Sequence, residues 1–232
     1  MTQHIFKDNQ TVARAFAGYL CQKIKSADQF NLALSGGSTP KILFTILAKE
    51  YKDQIDWSKV HLYWGDERCV KPDDKDSNYG MTLEKLIQHI EIPDQNVHRV
   101  LGENNPAEEA IRYGNEIKEN LDLVNNWPVF DLVILGMGGD GHTASIFPHQ
   151  INLLTSEQIC EVATHPDSGQ QRITITGKVI NASKEIHFLV TGDSKKEVVK
   201  EIFTKVGQYK SCLLYTSPSP RDATLSRMPS SA

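Results

Sequence analysis

Cysteine is scarce in this sequence, and no cysteine pair has the spacing of a disulfide framework or a zinc-binding motif. The four cysteines, Cys21, Cys69, Cys160 and Cys212, lie far apart along 232 residues and form no C-x-x-C motif. A structural zinc site and a disulfide scaffold are therefore not expected, and a reducing cytoplasm is the simplest location.

The chain also lacks a long apolar run and a surplus of positive charge. No stretch approaches the roughly 20 apolar residues that span a bilayer, and the N-terminus lacks the pattern of a secretory signal. Twenty-five Lys and Arg residues against 29 Asp and Glu residues give a net charge of −4, which argues against a nucleic-acid partner. No cofactor or metal is expected because no ligand cluster is evident, and the oligomeric state stays open.

Short apolar runs alternate with helical patterns along the chain. Strands are predicted at 30–34, 60–64, 132–135, 173–176 and 186–191, and helices at 12–24, 40–49, 79–90, 106–123 and 195–206. Strands separated by helices imply right-handed crossovers. The predicted fold class is therefore α/β, with a mainly parallel doubly wound sheet, helices on both faces and a single domain over residues 1–210.

Four polar loops directly follow apolar strands. They are S-G-G-S-T-P at 35–40, G-D-E-R-C-V at 65–70, G-M-G-G-D-G-H at 136–142 and G-D-S-K at 192–195. Ligands of open parallel sheets bind outside the carboxyl ends of the strands. The four loops are therefore expected to lie along one edge of the sheet and to share one pocket.

The first loop has the composition of a phosphate-binding turn. Gly36 and Gly37 would let the backbone approach an anion, Ser38 and Thr39 would add hydroxyl groups, and a helix predicted to begin near Pro40 would direct its positive end there. Neither a Walker A motif nor a convincing dinucleotide fingerprint is present. An ordinary capped turn is the alternative interpretation.

The second and third loops carry charged side chains whose roles the sequence leaves open. Asp66 and Glu67 could orient Arg68 toward a phosphate, or the three could form an internal salt-bridge network. Asp140 and His142 suit a catalytic loop after a buried strand, or a tight turn that polar residues cap.

The loop motifs resemble those of the 6-phosphogluconolactonase family, which are lactone hydrolases of the pentose phosphate pathway. The matching stretches are L-A-L-S-G-G-S-T-P (32–40), W-G-D-E-R-C-V (64–70), S-N-Y (77–79), L-G-M-G-G-D-G-H-T-A-S-I-F-P (135–148), R-I-T-I-T (172–176) and L-V-T-G-D-S-K (189–195). The resemblance extends to about residue 209. It implies hydrolysis of 6-phospho-D-glucono-1,5-lactone to 6-phospho-D-gluconate without a cofactor.

The resemblance also implies roles for individual residues. His142 is expected to accept a proton from water, and Asp140 to orient the imidazole. The phosphate is expected to bind to the loop of Gly37, Ser38 and Thr39. Arg68, Arg172 and Lys195 would supply positive charge. Ser145 is interpreted as a helix residue rather than a nucleophile, because it lacks a G-x-S-x-G elbow.

Two alternatives stay open. Glucosamine-6-phosphate deaminase belongs to the same superfamily, but its loop resembles G-x-G-x-D-G-H-I-A-F-N-E-P and its second loop reads D-E-Y. Here residues 143–148 contain no acid and the second loop reads D-E-R, so both differences favour the lactonase. A non-catalytic sugar-phosphate binding module is the other alternative, although binding alone has little use for a general base.

Residues 211–232 do not continue these patterns. The segment is rich in serine and proline and has neither a helical nor an alternating period. It is predicted to be disordered and to be a non-native tail. The domain at 1–210 is accordingly expected to lack a C-terminal strand and helix that the family usually has.

Overall fold

A computed structural model describes residues 2–204 and 223–227 of the chain. The strands are β1 (Thr2–Ile5), β2 (Phe30–Leu34), β3 (Val60–Trp64), β4 (Asp66–Arg68), β5 (Leu123–Val124), β6 (Trp127–Pro128), β7 (Leu132–Leu135), β8 (Cys160–Thr164), β9 (Gln171–Ile175), β10 (Glu185–Leu189) and β11 (Ala223–Arg227). The helices are α1 (Asn9–Lys25), α2 (Ser38–Ile46), α3 (Asn78–Lys85), α4 (Pro106–Asn120), α5 (Gly177–Ala182) and α6 (Lys196–Thr204). A π-helical turn at Leu47–Tyr51 extends α2, and short 3₁₀ segments lie at Trp57–Lys59, Ile87–His89, Asp94–Asn96, Pro148–Leu154 and Asp193–Lys195.

The main sheet has six strands in the order β1-β11-β10-β7-β2-β3, and every pair in it is parallel. All four residues of β7 are buried, as a strand covered on both faces requires. The predicted parallel α/β fold is confirmed. The chain moves from β2 to β3 on one side and later returns to β7 on the other, so a topological switch point lies between β2 and β7.

A second, antiparallel sheet holds the strand predicted near residue 173. Its order is β4-β9-β8, and β9 is absent from the parallel sheet. The turn between β8 and β9 is short and includes Gly169 at φ +70°, so the two strands form a hairpin, which is necessarily antiparallel. The polar strand β4 continues directly from β3 and was predicted as part of a loop, because D-E-R has no apolar alternation.

Helix α1 shows why helices could be predicted from the spacing of apolar residues. The side chain of Asp8 caps its first turn by accepting from the Thr11 N–H over 2.7 Å. Its predicted stripe is confirmed as the buried face, which holds Val12, Phe16, Leu20 and Ile24. Most helix boundaries differ from the sequence expectation by a few residues; for example, α2 begins at Ser38 instead of residue 40, and α3 ends at Lys85 instead of residue 90.

The C-terminal segment differs in part from the expectation of disorder. Residues 223–227 form β11, which pairs with both β1 and β10 in parallel register. A sheet position between two strands can be filled by a segment without strong strand signals, because the neighbours supply both rows of backbone partners. The predictions for residues 205–222 and 228–232 lie outside the described residues, and the non-native origin of the tail stays a prediction.

Candidate active site

The four polar loops meet in one cleft at the carboxyl ends of the parallel strands. Its volume is about 210 Å³. The lining includes the sequence-predicted Gly36, Gly37, Ser38, Thr39, Arg68, His142, Arg172 and Lys195, together with Asp66, Asn78, Thr143, Thr191 and neighbouring backbone. The loops after β2 and β7 flank the switch point of the sheet, which is where open α/β folds bind ligands. Asp140 does not line the cleft but contacts His142 beside it.

The loop after β2 brings the N-terminus of α2 to the cleft. Gly37 is the N-cap at φ +109°, a conformation that favours glycine. A Cβ atom at Gly36 would lie 1.8 Å from Asn78 Oδ1, so only glycine allows this approach. The Ser35 hydroxyl is buried without a partner, and Thr39 Oγ1 lies 2.7 Å from Thr191 Oγ1. Polar groups and the positive end of a helix therefore converge here.

Asp140 and His142 are directly hydrogen-bonded, which the sequence could not establish. Asp140 Oδ1 lies 2.6 Å from His142 Nδ1 and accepts from the His142 backbone N–H over 3.1 Å. Burial opposes ionisation of Asp140, but the hydrogen bonds and charge of His142 outweigh it and lower the pKa of the carboxyl group. An Nδ1–H that donates to the carboxylate leaves Nε2 as the basic nitrogen.

The glycine-rich loop is shaped around this pair. A Cβ atom at Gly138 would lie 2.1 Å from His142 Nδ1, and Gly141 adopts φ +83°. The Thr143 hydroxyl donates to the Gly136 carbonyl over 2.8 Å, which ties the end of the loop to its beginning. The buried ring of Phe147 packs on the imidazole of His142, with ring centroids 4.6 Å apart. The contact between Phe147 and His142 could not be predicted from the sequence, because residue spacing does not show which way the loop folds back.

The acids of the second loop do not orient the Arg68 guanidinium, so that expectation was wrong. Glu67 is 2% exposed and accepts from the backbone N–H groups of Arg68, Asn78 and Tyr79 at 2.7, 2.8 and 2.6 Å. Burial raises the pKa of Glu67, although these hydrogen bonds oppose the shift. Glu67 therefore holds the start of α3 in place. The alternative of a salt-bridge network is also wrong: among the described residues Arg68 forms no ion pair with Asp66 or Glu67, and its Nη1 donates to the Asp76 carbonyl instead.

The interpretation of Ser145 as a helix residue was wrong as well. Ser145 lies in the loop between β7 and the 3₁₀ segment Pro148–Leu154, and its side chain is fully buried. Its hydroxyl donates to Asp66 Oδ2 over 2.6 Å, and Arg172 Nη1 donates to the same hydroxyl over 3.4 Å. A buried hydroxyl in this position joins the His142 loop to strands β4 and β9.

Three cationic side chains line the cleft. Arg68 and Arg172 are directly opposite each other in the β4–β9 register, and the Nε atoms of both are buried without a partner. Burial lowers the pKa of Arg172; the charge of Asp66 opposes this shift, and that of Arg68 adds to it. Lys195 follows β10, with its Nζ beside Gly139. Facing like charges destabilise a strand pair, so an anion bound between them would be favourable.

The described residues contain no group of three or more His, Cys, Asp or Glu side chains arranged to hold a metal ion. No helix within this part of the chain is long and apolar enough to cross a membrane. Of the four cysteines, Cys21, Cys69 and Cys160 are described, and all three are free thiols.

Comparisons with known proteins agree with this architecture. The sequence profile described as "Glucosamine-6-phosphate isomerases/6-phosphogluconolactonase" matches residues 7–218. The chain is 51% identical over 175 residues to a 6-phosphogluconolactonase of Haemophilus influenzae, covering 75% of this chain and 73% of the relative. It is 42% identical over 202 residues to one of Treponema pallidum, covering 87% and 84%. The crystal structure of a 6-phosphogluconolactonase of Thermotoga maritima superposes with a TM-score of 0.85 at 26% identity, covering 98% of this chain and 99% of that one.

Proposed function

Since the chain belongs to the family of glucosamine-6-phosphate isomerases and 6-phosphogluconolactonases and acts as a 6-phosphogluconolactonase, we propose that His142 activates the water that opens the lactone. The substrate would be 6-phospho-D-glucono-1,5-lactone and the product 6-phospho-D-gluconate. The observation that carries the mechanism is the 2.6 Å contact between Asp140 and His142 at the edge of a cationic cleft. We further propose that the enzyme works in the cytoplasm and needs no cofactor.

The phosphate would bind where the α2 N-terminus and the cationic side chains converge. Backbone N–H groups at a helix N-terminus bind anions well, and Gly36, Gly37, Ser38 and Thr39 lie there. Arg68, Arg172 and Lys195 would provide compensating positive charge.

His142 would then act as the general base. Its Nε2 takes a proton from water as the oxygen attacks the C1 carbonyl, and Asp140 stabilises the imidazolium that forms. Donors and cations of the cleft stabilise the oxyanion of the tetrahedral intermediate. When the C1–O bond of the ring breaks, the imidazolium returns its proton to the leaving ring oxygen. The sum of these steps is one water consumed and one carboxylic acid formed.

Phe147, which packs against His142, argues against the deaminase alternative. In the deaminase pattern an acid stands five residues after the histidine, and here that position is Phe147. Its buried ring packs against His142 and under the Arg172 guanidinium, whose carbon lies 5.6 Å from the ring centroid. A deaminase needs an acid for ring opening and proton transfer, and an apolar ring cannot supply it. A lactonase needs only the base and stabilisation of the oxyanion.

The test is hydrolysis of freshly prepared lactone by the native chain and a His142→Asn variant. Removing the base should lower kcat about a hundred-fold or more. His149→Asn is the matched control, because His149 packs on the same Phe147 ring at 5.8 Å but lies outside the lining of the cleft. A His142→Asn rate close to the native rate would remove the mechanism. Release of ammonia from glucosamine-6-phosphate would instead favour the deaminase.

A further inference from the structure

Ser145 stands between an acid and an arginine beside the cleft. Its hydroxyl donates to Asp66 Oδ2 over 2.6 Å and accepts from Arg172 Nη1 over 3.4 Å. Its backbone N–H donates to Thr174 Oγ1 over 3.2 Å, so the residue is held at both ends. A hydroxyl can donate and accept at once. It can therefore satisfy both charged groups while keeping them apart.

We propose that Ser145 is a positioning residue that keeps the Arg172 guanidinium available to an anionic ligand by separating it from Asp66. This inference rests on the function proposed above for the cleft. Asp66 and Arg172 form no ion pair, although both are described in full and both line the cleft. Without the hydroxyl, the 6% exposed Asp66 would lose its hydrogen-bond donor, and the nearest replacement would be Arg172.

The surroundings of Arg172 support this role. Its Nε is buried without a partner, and Arg68 lies directly across the strand pair. Phe147 covers it with an aromatic face, which cannot neutralise its charge. The guanidinium is thus partly desolvated and short of acceptors, and the charges of Asp66 and Arg68 act on it in opposite directions. Such a group forms a strong charge-assisted hydrogen bond with a carboxylate or a phosphate, so Asp66 and an anionic ligand would compete for it.

Binding of 6-phospho-D-gluconate and of inorganic phosphate, measured by calorimetry, tests the proposal without relying on turnover. Ser145→Ala lets Asp66 move onto Arg172, so we expect the dissociation constant of both probes to rise about tenfold, the effect of losing one charge-assisted contact. Asp66→Asn keeps an acceptor for the Ser145 hydroxyl and removes the competing charge. It should bind both probes at least as tightly as the native chain.

The double variant Ser145→Ala/Asp66→Asn distinguishes positioning from simple damage. If Asp66 competes for Arg172, removing its charge should restore affinity to within about twofold to threefold of the native value. If Ser145 only holds its loop in place, adding Asp66→Asn to Ser145→Ala should weaken binding further. Arg172→Ala should lose about as much affinity as Ser145→Ala, and adding Ser145→Ala to it should have no further effect.

Ser183→Ala is the matched control, since Ser183 is also a buried serine and donates to the Val179 carbonyl over 3.0 Å, away from the cleft. It should leave binding unchanged. Thermal unfolding of every variant separates loss of fold from loss of affinity, and Asp66→Asn still decides the proposal if Ser145→Ala does not fold. Native-like binding by Ser145→Ala, or weaker binding by Asp66→Asn, would overturn the inference about Ser145 and leave the function proposed above intact. A native chain that binds neither probe would also remove the phosphate site proposed above.

Discussion

Replacing Asp140 by asparagine should slow lactone hydrolysis while leaving the fold intact. Asp140 Oδ1 contacts both Nδ1 and the backbone N–H of His142. Asparagine has nearly the same size but lacks the negative charge. Its amide can also present N–H groups to Nδ1, which favours the wrong imidazole tautomer and removes the basic Nε2.

The environment of Asp140 sets the expected magnitude. A hydrogen bond to a charged group contributes about 1.5–3 kcal/mol, which corresponds to roughly 10- to 150-fold in rate. The equivalent change in a buried serine-protease triad costs about 10⁴-fold. Because the Asp140 side chain is 39% exposed, water screens its charge and can partly replace it. We therefore expect kcat to fall about 10- to 100-fold, with little change in KM.

The assay is titration of the acid that hydrolysis releases, at constant pH, with spontaneous hydrolysis subtracted. Asp56→Asn is a matched control, because Asp56 Oδ1 also accepts from the backbone N–H two residues later, over 3.2 Å at Ser58, but lies away from the cleft. An unchanged kcat in Asp140→Asn would refute the orienting role. A loss near 10⁴-fold would show that screening by water is not what limits the contribution of Asp140.

Two further changes test the packing around the cleft and the pH dependence of stability. Gly36→Ala should lower the unfolding temperature by several degrees, because the new Cβ atom would lie 1.8 Å from Asn78 Oδ1. Gly136→Ala, in the same cleft, is the control: its Cβ atom would have no other atom within 4 Å, so this variant should unfold as the native chain does. Equal unfolding temperatures would contradict the close approach. Burial, assisted by the charge of His98, lowers the pKa of His61 in the folded chain. As the pH falls, the imidazole of His61 is therefore protonated more readily in the unfolded state, and the free energy of unfolding should decrease below about pH 6.5. His61→Asn should flatten that part of a urea-unfolding series, and an unchanged slope would contradict the assignment.

The parallel sheet was predictable because its strands are short apolar runs bounded by polar loops. The predicted bounds of β2, β3 and β7 are those of the structure. The antiparallel sheet was not predictable in the same way. Strand β4 consists of D-E-R, whose burial depends on partners from β9 and on α3. Only contacts between distant parts of the chain make such a segment a strand, and composition does not show them.

The loops that line the cleft were also predictable, but the hydrogen-bond partners of their side chains were not. Strand-end loops must share an edge of a parallel sheet, so the convergence of four loops follows from fold class alone. Which acid bonds to which donor depends on side-chain direction. Glu67 turns to backbone N–H groups and Asp66 to the Ser145 hydroxyl. Sequence adjacency suggested instead that both acids serve Arg68.

This distribution of partners explains how a chain with a net charge of −4 can present a cationic cleft. Three acids close to it are engaged by other groups: Glu67 by backbone N–H groups, Asp66 by a hydroxyl and Asp140 by an imidazole. No ion pair of the described residues involves Arg68, Arg172 or Lys195, the cations that line the cleft. Had any of the three acids paired with an arginine, the cleft would offer a phosphate dianion less positive charge at the same composition. The positive field at the switch point therefore depends on hydrogen bonds that keep the acids away from the cations, and an excess of basic residues is not required.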